Sequence, residues 1–400
     1  MREQKCPYQS VDSRWIAVDK QIFGAVMKKI FQVLLVTSAT IGIETTVAKA
    51  ADVTLPEAEP VEYVRVCDAY GEGYFYIPGT DTCLKLGGFV YAQAKGGDDV
   101  YARSRKDRDM KTWRDEVRAH LLVATASETE LGTLKTHIEL RSDFDDGSDA
   151  SSSELRFGYI ELGGLHIGVD ESALNTFFDY YGDFINDDVV LGGAYRTNMI
   201  QYQHSFANGL TALVSIEQGG DEDTDFNGTI KDYTPDVIAG LKFEQGWGSI
   251  TGAGAYDAVN EAWIGKAKVN LKITDAFNLW VMGAYKDLKD TYYDDIEDKD
   301  SIIRDGHRGI RAVDSFYGTW GGKWVGWLGA SYKFTPKTTG NLQLTYESVG
   351  NTYTAANVAY EMLPGLTVMP EVNYRKWNDV HSDLHDQDAI GGAIRIQRDF

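Results

Sequence analysis

The chain has 400 residues and a mass of 44.5 kDa, rich in glycine (41) and tyrosine (23) and poor in proline (8). Mean hydropathy is −0.31, and no window holds the roughly 18 nearly continuous apolar residues of a spanning helix, which excludes a polytopic helical membrane protein. A net charge of −21, from 60 acids against 39 bases, lacks the basic footprint that phosphates demand, so no nucleic-acid partner is expected.

Residues 1–26 carry no usable pattern and read as an upstream extension outside the protein, with Met27 as the true start. Residues 27–50 read as a secretory signal peptide. Met27-Lys28-Lys29 is a charged opening, Ile30 to Ile43 is apolar, and Ala48-Lys49-Ala50 is the small-x-small series that signal peptidase accepts. Cleavage between Ala50 and Ala51 removes seven bases and four acids, leaving 32 and 56 and a net charge of −24. A buried core helix is the plainer alternative, but the flanks fit export.

The mature N-terminal segment, 51–84, keeps two cysteines, Cys67 and Cys83. An even count in an oxidising compartment favours a disulfide, which would restrict the unfolded chain by about 3 kcal/mol. Two free thiols, or the ligands of a half metal site, are the alternatives. No histidine lies near enough in sequence to complete such a site, and no metal or cofactor is expected.

From residue 85 onward one signal repeats: apolar residues at every second position over about ten residues. Sixteen such segments lie near 85–95, 112–126, 131–144, 153–162, 165–170, 196–205, 209–218, 235–244, 247–258, 261–273, 276–286, 322–334, 338–349, 351–362, 364–376 and 388–400. Side chains of a strand point alternately to opposite faces, so each segment has one oily and one wet face. In the tenth, Trp263, Val269, Leu271 and Ile273 share one parity, and Lys266, Lys268, Asn270 and Lys272 the other.

Every second connection is short, and the long ones (96–111, 145–152, 171–195, 219–234, 287–321 and 377–387) all fall in the other set. That sidedness predicts an all-β fold: a 16-stranded antiparallel transmembrane β-barrel over 85–400, with short periplasmic turns and long external loops. A soluble sandwich would split 350 residues into several domains, and no linker separates them. A propeller would show a repeat of about 40–50 residues, and none is present. Tyr91, Tyr256, Tyr285, Tyr332, Tyr360 and Tyr374 suit interfacial girdles. Phe400 ends a strand whose Ile390, Ile394 and Ile396 share its parity. Arg398 breaks that parity, and its long stem can snorkel to the membrane edge.

The run Val61 to Gly71, followed by Gly73-Tyr74-Phe75-Tyr76-Ile77-Pro78-Gly79-Thr80-Asp81-Thr82-Cys83-Leu84, resembles the start of mature general porins of alphaproteobacteria. The strand rhythm, the loop sidedness and the terminal Phe400, similar to an outer-membrane sorting signal, extend the resemblance over the mature chain. The resemblance implies a homotrimer in the outer membrane, in contact with lipid and lipopolysaccharide, that passes ions and small hydrophilic solutes by diffusion. It also implies that the loop after the fifth strand folds inward as the constriction.

That loop carries Glu171, Asp179, Asp183, Asp187 and Asp188 together with several aromatics. Luminal parity supplies the opposing bases Arg114, Arg118, Lys135, Arg141, Arg375 and Arg395. A charge on the lipid face would cost about 2–4 kcal/mol at the midplane, so mid-strand charges belong to the lumen. Acids facing bases predict a transverse field across the eyelet and, with the acidic mature chain, a weak cation preference. The acidic runs Asp221 to Asp225 and Asp294 to Asp298 read as solvated loops, and His381 and His385 lie in a loop without helical spacing. The rivals are a substrate-selective channel, an outer-membrane enzyme and an adhesin. An outer-membrane enzyme would need a Ser–His pair that the sequence does not offer.

Overall fold

A computed structural model describes residues 65–147, 152–179, 182–193, 195–220, 230, 232–295, 298, 300–304, 306–313 and 315–400. The upstream extension, the signal peptide with its Ala50–Ala51 junction, the first residues of the mature segment and the acidic run 221–225 lie outside the described residues.

Sixteen antiparallel strands close on themselves. They are β1 (Cys83–Gly97), β2 (Thr112–Thr129), β3 (Gly132–Asp145), β4 (Ser152–Leu162), β5 (Leu165–Glu171), β6 (Arg196–Ser205), β7 (Leu210–Glu217) and β8 (Asp236–Gln245). They continue as β9 (Gly248–Asp257), β10 (Ala262–Lys272), β11 (Phe277–Lys286), β12 (Trp324–Thr335), β13 (Thr338–Glu347), β14 (Thr352–Leu363), β15 (Leu366–Lys376) and β16 (Asp388–Asp399). Each pairs with its sequence neighbour, and β16 pairs back onto β1 from Gly391↔Gly97 to Asp399↔Phe89. Closure leaves no open edge in the wall, as an all-β membrane span requires. The Phe400 N–H donates to the Gly88 carbonyl, and the Phe400 carbonyl accepts from Gly88 N–H.

Alternation decides what faces outward. Ile138, Leu140, Ile200, Leu241, Val281, Leu328, Leu342 and Ile394 are exposed on the outer surface, while Ser215, Thr251, Gln343, Thr345 and Asn373 are buried inside. Aromatics ring the barrel at two heights. Tyr256 with Trp263 (5.0 Å) and Trp324 with Tyr346 (5.5 Å) lie at the long-loop end. Phe277, Tyr332 and Phe334 lie at the short-turn end. Tyr91 does not join them. It is only 2% exposed and points into the lumen, where its hydroxyl donates to Glu116. Its parity is the wet one, and its neighbour Val90 takes the lipid side. Arg398 stays on the outer parity and reaches the Pro364 carbonyl in the turn between β14 and β15.

Cys67 and Cys83 are joined by a disulfide, with Cα atoms 6.1 Å apart. It fastens a three-residue strand, Tyr74–Tyr76, against the first residues of β1, in register Tyr76↔Cys83. At the opposite rim the external loops turn inward. The β5–β6 loop carries a short helix, Ala173–Thr176, and the β11–β12 loop a two-stranded hairpin, Tyr292–Tyr293 with Ile310–Arg311. Their apolar residues, including Leu174, Phe177, Phe178, Phe316, Tyr317 and Trp320, join inward-facing strand residues such as Ile264, Trp280 and Trp327 in a buried cluster inside the barrel.

Candidate functional site

The β5–β6 loop enters the lumen because the wall offers partners for its backbone. Buried N–H and C=O groups must be paired, and luminal side chains of β7 to β15 do the pairing. At its root, Ser172 caps the short helix by accepting from Leu174 N–H, and its hydroxyl donates to Glu217 Oε2 at 2.8 Å. Ala173 N–H donates to Glu217 Oε1 at 2.8 Å. Lys266 Nζ donates to the carbonyls of Leu174 (3.0 Å) and Gly192 (2.9 Å), tying the outgoing limb to the returning one. Lys268 Nζ donates to the Phe178 carbonyl at 2.8 Å.

The aromatics seat the loop. Phe178 is fully buried, and Phe177 lies so close to Gly240 on β8 that a Cβ there would stand 2.9 Å from its ring. Farther along, the tip is held by β13, β14 and β15. Glu371 accepts from Ile185 N–H (2.6 Å) and Asn186 N–H (2.9 Å). The Asn357 side-chain amide donates to the Asp183 carbonyl at 2.6 Å, and the Tyr353 hydroxyl to the Asn186 carbonyl at 2.7 Å. On the way back, Trp327 Nε1 donates to Val190 and the Thr319 hydroxyl to Leu191.

The loop therefore lines the β7–β15 side and leaves most of the β16 and β1–β5 wall bare toward the lumen, touching it at its returning end, where the Tyr195 ring lies 4.5 Å from the Arg156 guanidinium of β4. Arg395 on that bare wall donates to Gln93 Oε1 through Nε (3.0 Å) and Nη2 (2.8 Å), and its guanidinium lies 4.3 Å from the Tyr91 ring. Arg118 pairs with Asp143 at 2.5 Å and Glu116 at 3.0 Å. Arg141 pairs with Asp143 at 2.5 Å. Two groups that parity reasoning left out belong here: Arg156, 3.5 Å from Glu139, and His120, 2.7 Å from Glu139. The bases do not stand alone. Acids are interleaved with them, so the wall is a ladder of ion pairs rather than a purely positive stripe.

The five loop acids take different places. Glu171 is buried at the end of β5, before the loop turns in. Asp179 forms an ion pair with Lys242 at 2.8 Å. Asp183 and Asp187 open onto the lumen, enclosed by the barrel. Loss of bulk water raises both carboxyls above the ordinary range. For Asp187 the adjacent Asp188 adds to this, pushing it up to about 7. The Arg395 charge reaches both and draws them back down. Asp188 accepts from the Tyr101 hydroxyl at 2.6 Å.

Three predicted bases lie away from this belt. Arg114 stands at the external mouth in an exposed pair with Asp109, 2.6 Å. Lys135 lies toward the short-turn end, opposite Ala126 and Glu161. Arg375 is covered by the first external loop, donating to the Val100 carbonyl at 2.8 Å. Among the described residues no group of His, Cys, Asp and Glu could hold a metal.

The chain matches a family described as the porin subfamily over residues 52–393. It is 45% identical over 383 residues to the porin Omp2b of Brucella canis and 44% to that of Brucella suis biovar 1, spanning 92% of this chain and 99% of each relative. In fold it is similar to the outer-membrane channel DcaP of Acinetobacter baumannii (TM-score 0.58, 17% identity, 81% of this chain and 99% of that one). It is also similar to Salmonella typhi OmpF (TM-score 0.56, 12% identity, 81% and 99%). With a closed 16-stranded barrel, a water-facing interior and this kinship along nearly its whole length, the chain belongs to the porin family and is a general diffusion channel of the bacterial outer membrane.

Proposed function

We propose that the 172–195 loop is the eyelet of this porin, sorting solutes by size and by a charged constriction. Asp183, Asp187 and Asp188 form its acidic edge, facing Arg395, Arg118 and Arg141. The observation that carries this reading is the docking of the loop backbone on Glu217, Lys266, Lys268, Glu371 and Asn357, which holds those carboxylates inside the lumen. Of the bases opposite, Arg118 and Arg141 are neutralised by Glu116 and Asp143, and Arg395 alone faces the three loop acids without a carboxylate partner among the described residues. The loop acids therefore leave a net negative constriction and a weak cation preference. The preference fades at high salt, as the screening length falls from about 10 Å at 0.1 M to about 3 Å at 1 M.

The assembled protein is a homotrimer in contact with lipopolysaccharide, exported through cleavage after Ala50, and its work is diffusion with no catalytic step. The family supports the trimer, and the Lys28-Lys29, apolar, Ala48-Lys49-Ala50 series supports export. Reversal potentials across a KCl gradient test the eyelet. The double variant Asp183→Asn/Asp187→Asn should lose cation preference while the barrel still folds. Unchanged selectivity and conductance would remove the loop from the constriction. N-terminal sequencing from outer-membrane material should begin at Ala51, and a mild-detergent gel should show a heat-dissociable species near three times the monomer mass.

A further inference from the structure

Beside the diffusion path lies a second space. Four external loops, 98–111, 172–195, 287–323 and 377–387, meet above β13 and β15 around a cavity of about 320 Å³. The loops are fastened to one another around it. Arg105 N–H donates to Asp383 (3.0 Å), the Tyr292 hydroxyl to Asp379 (2.8 Å), and Tyr101 to Asp188. Tyr101 also borders the lumen beside Lys95 and Glu116, so its ring stands between the cavity and the pore.

The polar groups of this chamber are unequally satisfied. Its carboxylates are engaged. Glu347 accepts from Gly321 N–H and the Asn351 amide, Asp379 from Tyr292 and His381 N–H, and Asp188 from Tyr101. Two of its guanidiniums, those of Arg375 and Arg311, are not paired with carboxylates among the described residues. Arg375 donates to the Val100 carbonyl, and Arg311 to the carbonyls of Trp320 and Thr319. Among the described residues neither forms an ion pair within 4 Å. The two cations repel one another, and Glu347 offsets Arg375 only from beyond contact.

Two buried donors remain without a partner, Arg375 Nε and Trp320 Nε1, and both residues line the cavity. Trp320 is fully buried. Beside polar Arg103, Thr319, Asn351 and Ser382, one side of the lining is apolar: Val190 and Leu191 from the eyelet loop, and Trp377, whose ring lies 5.0 Å from the Arg375 guanidinium. Unpaired buried donors are costly, and an anion that accepts from both removes that cost. A planar carboxylate matches the fork of a guanidinium, and an apolar body suits the remaining walls.

We propose that this chamber is a binding site for a small organic monoanion, a carboxylate borne on an apolar or aromatic body, that enters from the external mouth. The carboxylate takes its hydrogen bonds from Arg375 and Trp320, with Arg311 supplying charge. The body lies against Trp377 and the eyelet loop. A solute held there loads the mouth of the pore without occupying the constriction.

The test is calorimetric titration of the purified full-length protein in detergent with three probes: benzoate, its neutral isostere benzamide, and acetate. Benzoate should bind saturably, and benzamide and acetate at least tenfold more weakly. Trp320→Phe, which keeps an aromatic ring but loses the N–H together with the pyrrole half of the indole, should weaken benzoate about tenfold. Arg375→Gln should weaken it more and erase its advantage over benzamide, and Arg311→Gln serves where Arg375→Gln does not fold. Absence of saturable benzoate binding, equal binding of benzoate and benzamide, or wild-type affinity in Trp320→Phe and the arginine variant would each overturn the proposal. The KCl conductance of the wild-type channel tests the diffusion pore separately.

Discussion

Glu371 anchors the tip of the eyelet loop, and its removal has a calculable consequence. Its carboxylate accepts two backbone N–H groups at the loop tip, at 2.6 and 2.9 Å, and the Asn357 amide at 3.0 Å. Leaving a buried donor unsatisfied costs about 1–3 kcal/mol, more where the lost partner was charged. In Glu371→Ala two such donors lose their partner, and pore water recovers part of the loss, so about 3 kcal/mol is a fair figure. At 1.4 kcal/mol per factor of ten, the undocked loop becomes more populated by on the order of 10²-fold. Glu371→Gln keeps one acceptor oxygen and the side-chain volume, so its shift should be about tenfold. Tyr353→Phe removes one neutral hydrogen bond to the Asn186 carbonyl, worth about 1 kcal/mol, for a shift of roughly fivefold. Single-channel recording reads these populations as the frequency of brief sub-conductance events, and a heat-modifiable band confirms that the barrel is folded. Because Gln and Ala remove the same charge, a difference between them separates docking from electrostatics. Event frequencies within twofold of wild type in Glu371→Ala would refute the anchoring argument.

The remaining predictions concern other parts of the same loop and the N-terminal clip. Asp187, pushed up to about 7, binds its proton more tightly in the docked loop than in a free one. Docking should therefore strengthen as pH falls from about 7 toward the ordinary carboxylate range and weaken as pH rises through 7. Cation preference should rise between pH 5.5 and 8.5 as that charge appears, with a step in the reversal potential near 7 that Asp187→Asn abolishes; an identical step in the variant would assign it elsewhere. Gly240→Leu places a side chain where the Phe177 ring lies, so protease nicking within 172–195 should increase while the outer barrel remains intact. Reducing the Cys67–Cys83 bond should release a 16-residue separation of chain worth about 3 kcal/mol of unfolded-state restriction. The expected readout is faster proteolysis near Arg65 with unchanged conductance, and a conductance change would mean that the segment reaches into the pore.

The strands could be read from the amino-acid order because a barrel wall between lipid and water imposes a period of two on every segment. Trp324, Leu328 and Tyr332 against Lys323, Ser331 and Lys333 carry that contrast within twelve residues, and the one-sided loop lengths then set the topology. The inward loop was legible from its place after the fifth strand and from aromatics that a solvated loop has no use for. Its acids could be named, but their separate fates could not. Asp179 meets Lys242, 63 residues on, and Asp188 meets Tyr101, 87 residues back. Lys266 and Lys268 read only as wet-face residues, and Glu217, Asn357 and Glu371 drew no reading at all, because alternation specifies a face and says nothing of height or of what covers it. The same blindness hid the external loop that covers Arg375, whereas Tyr91 was assigned to the girdle against its own wet parity. Parity is a local property of the strand. The meeting of a wall residue with a loop is set by the register of sixteen pairings and the closure of β16 on β1, and only the tertiary structure holds that information.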